Sequence, residues 1–417
     1  MQVLFISVGT RGDVEPFLSI AEILKGRGHD VACAFPEQFR NLAAETGVRF
    51  ISLGSGFTEL VESEDGKLAM GGRGSSLKRF AAYLRLYSKS GKVNKELVER
   101  QHEIVSDEKP DRIVHNGKAV YPTLWGIQNP NRSILVSPVP CLIHSVKDHP
   151  NVGFTGNYGA FLNRLTYSLA NAGFVRNISG TTRELRKQLK ISAAQIKEAL
   201  LSETMIYTVS PTIFPRPDDW PFNVHVLGFY ERNKAATWHA CHELEAFLAR
   251  HKKVVLVSFG SIADPHPEEK TKLFLDVFHR HQIPAIMSTG VGGLSEPEGY
   301  DSKLIFFVKQ IPHDWLMPKI YAVIHHGGSG TTHMALKYGC PSMIIPHLTD
   351  QYLWNDLVSG LGAGPKGIAA AKLTEQKLEP RILDLIHNSS YKSAALRISE
   401  AMGKEDFTQR LCRTIVG

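Results

Sequence analysis

Residues Ala322–Asn355 read AVIHHGGSGTTHMALKYGCPSMIIPHLTDQYLWN, and their order decides the fold. Ala322–His325 is a short apolar run between a polar helix and glycines, the mark of a buried strand. The turn His326-Gly327-Gly328-Ser329-Gly330-Thr331 opens a helix expected to reach Tyr338. Gly339 supplies a left-handed cap behind it, and Pro341 prevents its continuation. A second apolar strand follows, then a polar loop with Asp350 and Gln351. The first N–H groups of a helix lack intrahelical partners and carry the positive end of its dipole. Glycines there let an anion approach the backbone, so the pattern predicts a phosphate or diphosphate site. Ser329 and Thr331 add hydroxyl donors, and His326 adds a third polar group. The competing reading is a tight turn that needs glycine for geometry alone. The two framing histidines and the Asp350-Gln351 loop favour the site.

The 417 residues suffice for two domains of ordinary size, and 43% hydrophobic with 21% charged residues is a globular composition. No apolar stretch approaches the length of a membrane span, and MQVLFISVG begins directly as a strand, so no signal peptide is expected. Cys33, Cys141, Cys241, Cys340 and Cys412 are scattered, with no Cys-x-x-Cys, which points to reduced thiols in a cytoplasm rather than a zinc or disulfide framework. The net charge of +7 suits an anionic nucleotide or lipid, but no nucleic-acid motif accompanies it.

Strands at Gln2–Gly9, Asp30–Phe35, Arg49–Leu53, Asp111–His115 and Ser133–Ser137 alternate with helical stretches, the pattern of a doubly wound α/β domain that Met205–Ser210 is expected to close. The first turn, Gly9-Thr-Arg-Gly12, lacks Gly-x-Gly-x-x-Gly spacing and argues against a nicotinamide dehydrogenase. Ligands of such sheets sit beyond the carboxyl ends of the strands. Asp13 lies in the loop after the first strand, where a carboxylate can take a proton from a hydroxyl or, equally, cap the helix that follows. His115, at the end of the fourth strand, reads as an acceptor contact, a group polarising Asp13, or a hydrogen-bonded strand-end residue. Gly71–Gly74 reads as a flexible loop, and 77–100 as a basic helix with Phe80, Leu84 and Tyr87 on one face, able to touch an anionic membrane or to pack on its own domain. The Pro-, Gly- and His-rich stretch from Pro138 to Gly159 reads as a functional loop, and its histidines fit no zinc spacing, so no metal site is expected. Pro211–Pro221 reads as the start of a linker, and Val254–Ser261 as a buried strand ending in Gly260-Ser261.

Taken together, His325–Thr331, Gly339-Cys340-Pro341 and Asp350-Gln351 resemble the donor-binding signature of family 1 glycosyltransferases of the GT-B fold, most closely their sterol-glucosyltransferase branch. The match extends upstream through Ile311-Pro312-His313-Asp314-Trp315-Leu316 and covers nearly the whole chain, more weakly between 55 and 110. The resemblance implies two facing Rossmann-like domains with a cleft between them: 1–222 for the acceptor, 223–390 for a nucleotide sugar, and 391–417 crossing back onto the first domain. It places Val224–Tyr230 where the chain enters the second domain. Many members carry Gly-His-x-x-Pro where this chain has Gly12-Asp13-Val14-Glu15-Pro16; the sterol branch also shows Gly-Asp-Val, so Asp13 is assigned as general base, and His115 stays a catalytic candidate with its three readings open.

The resemblance further implies that His326, Gly328, Ser329, Gly330 and Thr331, with Gly260 and Ser261, hold the diphosphate, and that Asp350 and Gln351 bond the donor sugar. Arg11 and Gly12 join the donor site from the first loop. Gln310 stands where many relatives have a tryptophan stacked on uracil, while the backbone of Ile311 can still read the base. The function implied is inverting, metal-independent transfer of a hexose, foremost glucose from UDP-glucose, to a hydroxyl of an apolar acceptor such as a sterol, flavonoid or polyketide, with no cofactor. A dTDP-sugar-dependent natural-product transferase, a nucleotide-sugar-binding protein without turnover and an epimerase are the alternatives.

Overall fold

The computed structural model describes residues 1–66 and 76–417, with side chains at 61, 62, 76–89 and 237 set aside. The expected loop at Gly71–Gly74 therefore falls outside the described residues, as does the proposed apolar face of Phe80, Leu84 and Tyr87; the backbone of Ser76–Glu108 is helical. The chain divides into two compact units, one built from Met1–Ser63, Tyr83–Arg232 and Asp406–Gly417, the other centred on Asn233–Glu405.

Seven parallel strands form the first unit's sheet: β1 (Gln2–Ile6), β2 (Asp30–Phe35), β3 (Arg49–Ser52), β4 (Arg112–His115), β5 (Ser133–Ser137), β6 (Thr204–Tyr207) and β7 (Val224–Val226). Their spatial order is β3-β2-β1-β4-β5-β6-β7. The strands read as apolar runs because both faces are covered. Val3 and Phe5 enter a layer with Phe17, Leu18 and Leu24 of the helix Arg11–Gly26, while Leu4 and Ile6 enter the opposite layer with Leu97, Val98 and Leu124. The expectation that Met205–Ser210 closes this sheet, with Val224–Tyr230 entering the second domain, is corrected. Val224–Val226 pairs in parallel with β6, Met205 against Val224, and adds one more strand to the first unit.

Arg232, the last residue of the first unit's segment Tyr83–Arg232, is buried, and its guanidinium meets Glu15 at 3.4 Å, Glu22 at 3.3 Å and Glu45 at 3.1 Å. Burial works against the charge, but the three carboxylates outweigh it and raise the pKa. One side chain thus pins the end of the first unit to its first two helices.

The second unit has five parallel strands, β8 (Val255–Ser258), β9 (Ala285–Ser288), β10 (Ile305–Val308), β11 (Ala322–His325) and β12 (Ser342–Ile344), in the order β10-β9-β8-β11-β12. Its core joins Val255, Val257, Met287 and Ile324 to Phe274 and Phe278 of the helix Pro267–His281 and to Leu378, Ile382 and Leu385 of the helix Glu375–His387. The stretch from Tyr391 to the C-terminus, expected to cross back as one piece, is split. The helix Ser389–Gly403 stays with the second unit, where Lys392 donates to the Gly339 carbonyl at 2.7 Å. The helix Thr408–Val416 belongs to the first unit and buries Leu411 and Ile415 beside Phe5 and Leu24. No helix among the described residues is long and apolar enough to cross a membrane.

Candidate active site

Each sheet reverses its winding direction once, between β1 and β4 in the first and between β8 and β11 in the second. A switch point leaves a crevice at the carboxyl ends of the two diverging strands, where ligands of such sheets bind. Some of the sequence-derived site residues stand at these two places, while Gln310, Ile311, Asp350 and Gln351 follow the edge strands β10 and β12.

In the second unit, β11 ends at His325 and the helix Ser329–Lys337 begins behind the cap residue Gly328. The first ladder bond runs from the Thr332 N–H to the Gly328 carbonyl at 3.0 Å, so the N–H groups ahead of it lie outside the helical ladder. At the other end Gly339, with φ +66°, takes the left-handed cap; its N–H bonds Leu336 and that of Cys340 bonds Ala335. The neighbouring strand β8 runs into Gly260-Ser261, both exposed, with Gly260 at φ +58°.

The His326 ring lies between the two turns. A methyl group built on Gly260 would stand 2.7 Å from the ring's Cε1, and one built on Gly328 would stand 2.4 Å from Nε2. Glycine at both positions is therefore dictated by the ring. Confinement lowers the His326 pKa to about 4, opposed by a bond to the Ser258 backbone and assisted by nearby His313 and Lys270, so the ring is neutral near pH 7. Its Nδ1 is buried without a hydrogen-bond partner, an unsatisfied polar atom beside the open helix end.

Gly328, Ser329 and Thr331 are half-buried and Gly330 is exposed, so this helix end meets solvent. Gln351 is buried, and its Oε1 accepts the N–H groups of His347 at 2.7 Å and Leu348 at 3.0 Å. That oxygen fastens the loop that starts the helix Thr349–Gly360. Asp350 is half-buried in the same first turn. Gln310, exposed, and Ile311, half-buried, follow the edge strand β10.

Behind the glycine turns lies a group that the sequence does not announce. Lys270, near the start of the helix Pro267–His281, is 2% exposed and pairs with Asp264. Its ammonium also reaches His347 Nε2 at 3.1 Å and sits 4.4 Å from the centre of the Phe259 ring. A cation at the positive end of a helix dipole is unfavourable, and these partners are what hold it there. The run Pro267-Glu-Glu-Lys270 reads as an ordinary charged helix start, so no sequence signal marks the buried ammonium.

In the first unit Asp13 occupies the first turn of the helix Arg11–Gly26, and its Oδ2 accepts the Thr10 N–H at 2.8 Å. Asp13 therefore joins the cap from inside the helix, as the partner in a capping box whose N-cap residue is Thr10, rather than from the loop before it. The same carboxylate faces Lys118, whose Nζ lies 2.8 Å from both oxygens. A side chain at Gly9 would run into Asp13 Oδ2, so the backbone there is bare to make room. Asn116, buried, joins the two loops: its amide donates to Ser7 Oγ and the Val8 carbonyl, and its oxygen accepts the N–H groups of Lys118 and Ala119.

His115 is corrected as a catalytic candidate. It is 1% exposed, with Nε2 2.8 Å from Glu203 and Nδ1 3.1 Å from the Asn116 carbonyl, so both ring nitrogens serve internal bonds. Lys118 is the residue missed, although the run His115-Asn116-Gly117-Lys118 places it on the working edge. Arg11 pairs with Glu15 at 2.9 Å, and it and Gly12 lie in the first unit. No cluster of histidine, cysteine, aspartate and glutamate among the described residues is arranged to hold a metal ion.

The neutral histidines predict a pH dependence. Burial lowers His333 to about 4, opposed by the Ser329 backbone, and lowers His347 to about 3, assisted by Lys270. An unfolded histidine titrates near 6.5, so between that pH and about 4 the unfolded chain binds more protons, and stability falls as pH falls. The melting temperature of the second unit is expected to be level from pH 8 to 7 and to drop steeply from pH 6 to 4, as read by calorimetry. A level profile down to pH 4 would contradict the buried neutral rings.

Residues 3–112 match the glycosyltransferase family 28 N-terminal domain, and residues 303–416 match the erythromycin biosynthesis protein CIII-like C-terminal domain. The chain is 29% identical over 428 residues to a sterol 3-beta-glucosyltransferase of Arabidopsis thaliana, covering 97% of this chain and 64% of that protein. It is 27% identical over 421 residues to the sterol 3-beta-glucosyltransferase of Saccharomyces cerevisiae (strain YJM789), covering 96% of this chain and 34% of that protein. The chain thus spans under two thirds of the plant relative's length and about a third of the yeast one's. The crystal structure of the glycotransferase of kitacinnamycin superposes with a TM-score of 0.68 at 18% identity, covering 99% of this chain and 97% of that one, a likeness of fold.

Proposed function

Because the chain belongs to the glycosyltransferases of the GT-B fold, with sterol 3-beta-glucosyltransferases among its relatives, we propose that it transfers glucose from UDP-glucose to the hydroxyl of a sterol-like acceptor. The observation that carries this reading is the pair of glycine turns at the second sheet's switch point, closed around the neutral His326 ring. The diphosphate would lie against the open end of the helix Ser329–Lys337, where backbone N–H groups and the hydroxyls of Ser329, Thr331 and Ser261 meet the charge that develops as it leaves. Asp350 would bond the donor sugar from the next loop, as its relatives' motif implies.

Asp13 takes the acceptor's proton in this proposal. The acceptor oxygen bonds to the anomeric carbon as the bond from that carbon to the diphosphate oxygen breaks, so one displacement inverts the centre and yields a β-glucoside. The proton goes to Asp13 and the electron pair leaves with UDP. Lys118 orients the carboxylate, and the acceptor hydroxyl must displace Lys118 from one Asp13 oxygen to be deprotonated there. A cytoplasmic setting belongs to the same proposal and is supported by five free cysteines.

Calorimetric titration with UDP, dTDP and ADP, without added metal, tests the donor half. UDP is expected to bind at least about tenfold tighter than the others, a difference of about 1.4 kcal/mol. Tighter binding of dTDP would replace the glucose donor with a dTDP-sugar, and no binding of any nucleotide would remove the donor site.

A further inference from the structure

Asp13 is held from two independent sides. On one, Oδ2 accepts the Thr10 N–H at 2.8 Å and the Thr10 hydroxyl at 3.3 Å, at the head of the helix Arg11–Gly26. On the other, Lys118 Nζ lies 2.8 Å from both oxygens. Among the described residues Lys118 is the only side chain that bonds Oδ1. Oδ1 is therefore the oxygen an acceptor hydroxyl would use, and Lys118 stands on it.

The two holds differ in how readily they open. Thr10 acts through its backbone, at a helix end that packs on the sheet through Val14 and Phe17. The Lys118 backbone is fixed as well, since buried Asn116 accepts its N–H at 3.2 Å and that of Ala119 at 3.1 Å. The Lys118 side chain is not fixed in that way. It is 53% exposed against 20% for Asp13, so it lies on the solvent side of the carboxylate. A pair this exposed weights an equilibrium by at most about fivefold. When it opens, Oδ2 keeps its Thr10 bonds and the carboxylate keeps its place.

A general base open to solvent can take a proton from water as well as from an acceptor. In that side reaction the water oxygen bonds to the anomeric carbon as the bond from that carbon to the diphosphate oxygen breaks. The electron pair leaves with UDP, one proton goes to Asp13 Oδ1, and the products are free glucose and UDP. An acceptor brings a body whose binding energy can displace the ammonium, and water brings none.

We propose that Lys118 is a latch on the base, a positioning residue that covers Asp13 Oδ1 against water and yields it to the acceptor hydroxyl. The latch rests on the transferase reading above, and the experiment separates the two failures.

Glucose released from UDP-glucose without acceptor, and the KM for cholesterol in transfer, are measured for wild type and Lys118 variants. Lys118→Met, which keeps the stem and drops the charge, is expected to raise acceptor-free hydrolysis about two- to fivefold and to lower the acceptor KM by a similar factor. Its UDP affinity and melting temperature are expected to match wild type. Lys118→Arg, whose fork can grip a carboxylate with two parallel bonds, is expected to hold hydrolysis at or below the wild-type rate. Adding Asp13→Asn to Lys118→Met is expected to remove the extra hydrolysis, because water then lacks its base. Unchanged or slower hydrolysis in Lys118→Met, a raised acceptor KM, or extra hydrolysis that survives Asp13→Asn would each overturn the latch while wild-type transfer stands. A wild type that neither transfers glucose nor releases it from UDP-glucose would overturn the transferase reading and the latch with it.

Discussion

Asp13→Asn is expected to lower kcat for glucosyl transfer by about 10²- to 10⁴-fold, the usual contribution of a positioned general base, while nucleotide affinity stays at the wild-type value. The separation follows from where the residue sits. Asp13 belongs to the first unit, whereas the glycine turns and their helix belong to the second. Folding should survive, because the amide oxygen of asparagine can still accept the Thr10 N–H that Asp13 Oδ2 now accepts. The lost Lys118 pair is half-exposed on the lysine side, and such pairs contribute about 0–1 kcal/mol. Steady-state assays with saturating donor check the rate, and thermal melts check the fold. Undiminished kcat in the variant would take the base role from Asp13 and reduce it to the helix cap its geometry also describes.

Lys270→Met is expected to destabilise the second unit by about 3–5 kcal/mol, because removing one partner of a buried ion pair leaves the other charge uncompensated. Asp264 would be that charge, with a side chain 5% exposed and a further bond from the His266 N–H. The double variant Lys270→Met, Asp264→Asn is expected to recover most of the loss, since the unpaired charge goes with it. Urea denaturation followed by near-UV circular dichroism measures both. A single variant within about 1 kcal/mol of wild type would show that the ammonium is held by its apolar stem and the Phe259 ring alone.

Much of the fold was legible because it follows from short-range rules. Apolar runs such as Val254–Ser258 and Ala322–His325 can only be strands covered on both faces, and Gly339 with Pro341 stops the intervening helix where it does stop. The glycine turns were legible for the same reason: glycine at the head of a helix has a local physical meaning. The seventh strand was not. Val224-His-Val226 is three residues long and gains its place only by pairing with β6, a long-range contact with no local signature.

The polar partners were the least legible part. His115 offers the same ring whether it meets an acceptor or Glu203, and only the approach of Glu203 from the turn before β6 decides between them. Lys118 and Lys270 look alike as single letters, yet one reaches across to Asp13 at a sheet's switch point and the other is buried against Asp264. Gln351 stands in the expected donor motif, but its oxygen is spent on the N–H groups of its own loop. Side-chain chemistry of this kind depends on which loops the topology brings together.

The most direct test of the central claim is proton NMR of the product formed from UDP-glucose and a sterol acceptor without added metal. A single β-glucoside, formed with one equivalent of UDP, is the predicted result. An α-glucoside, free glucose as the main product, or an epimerised donor would contradict it.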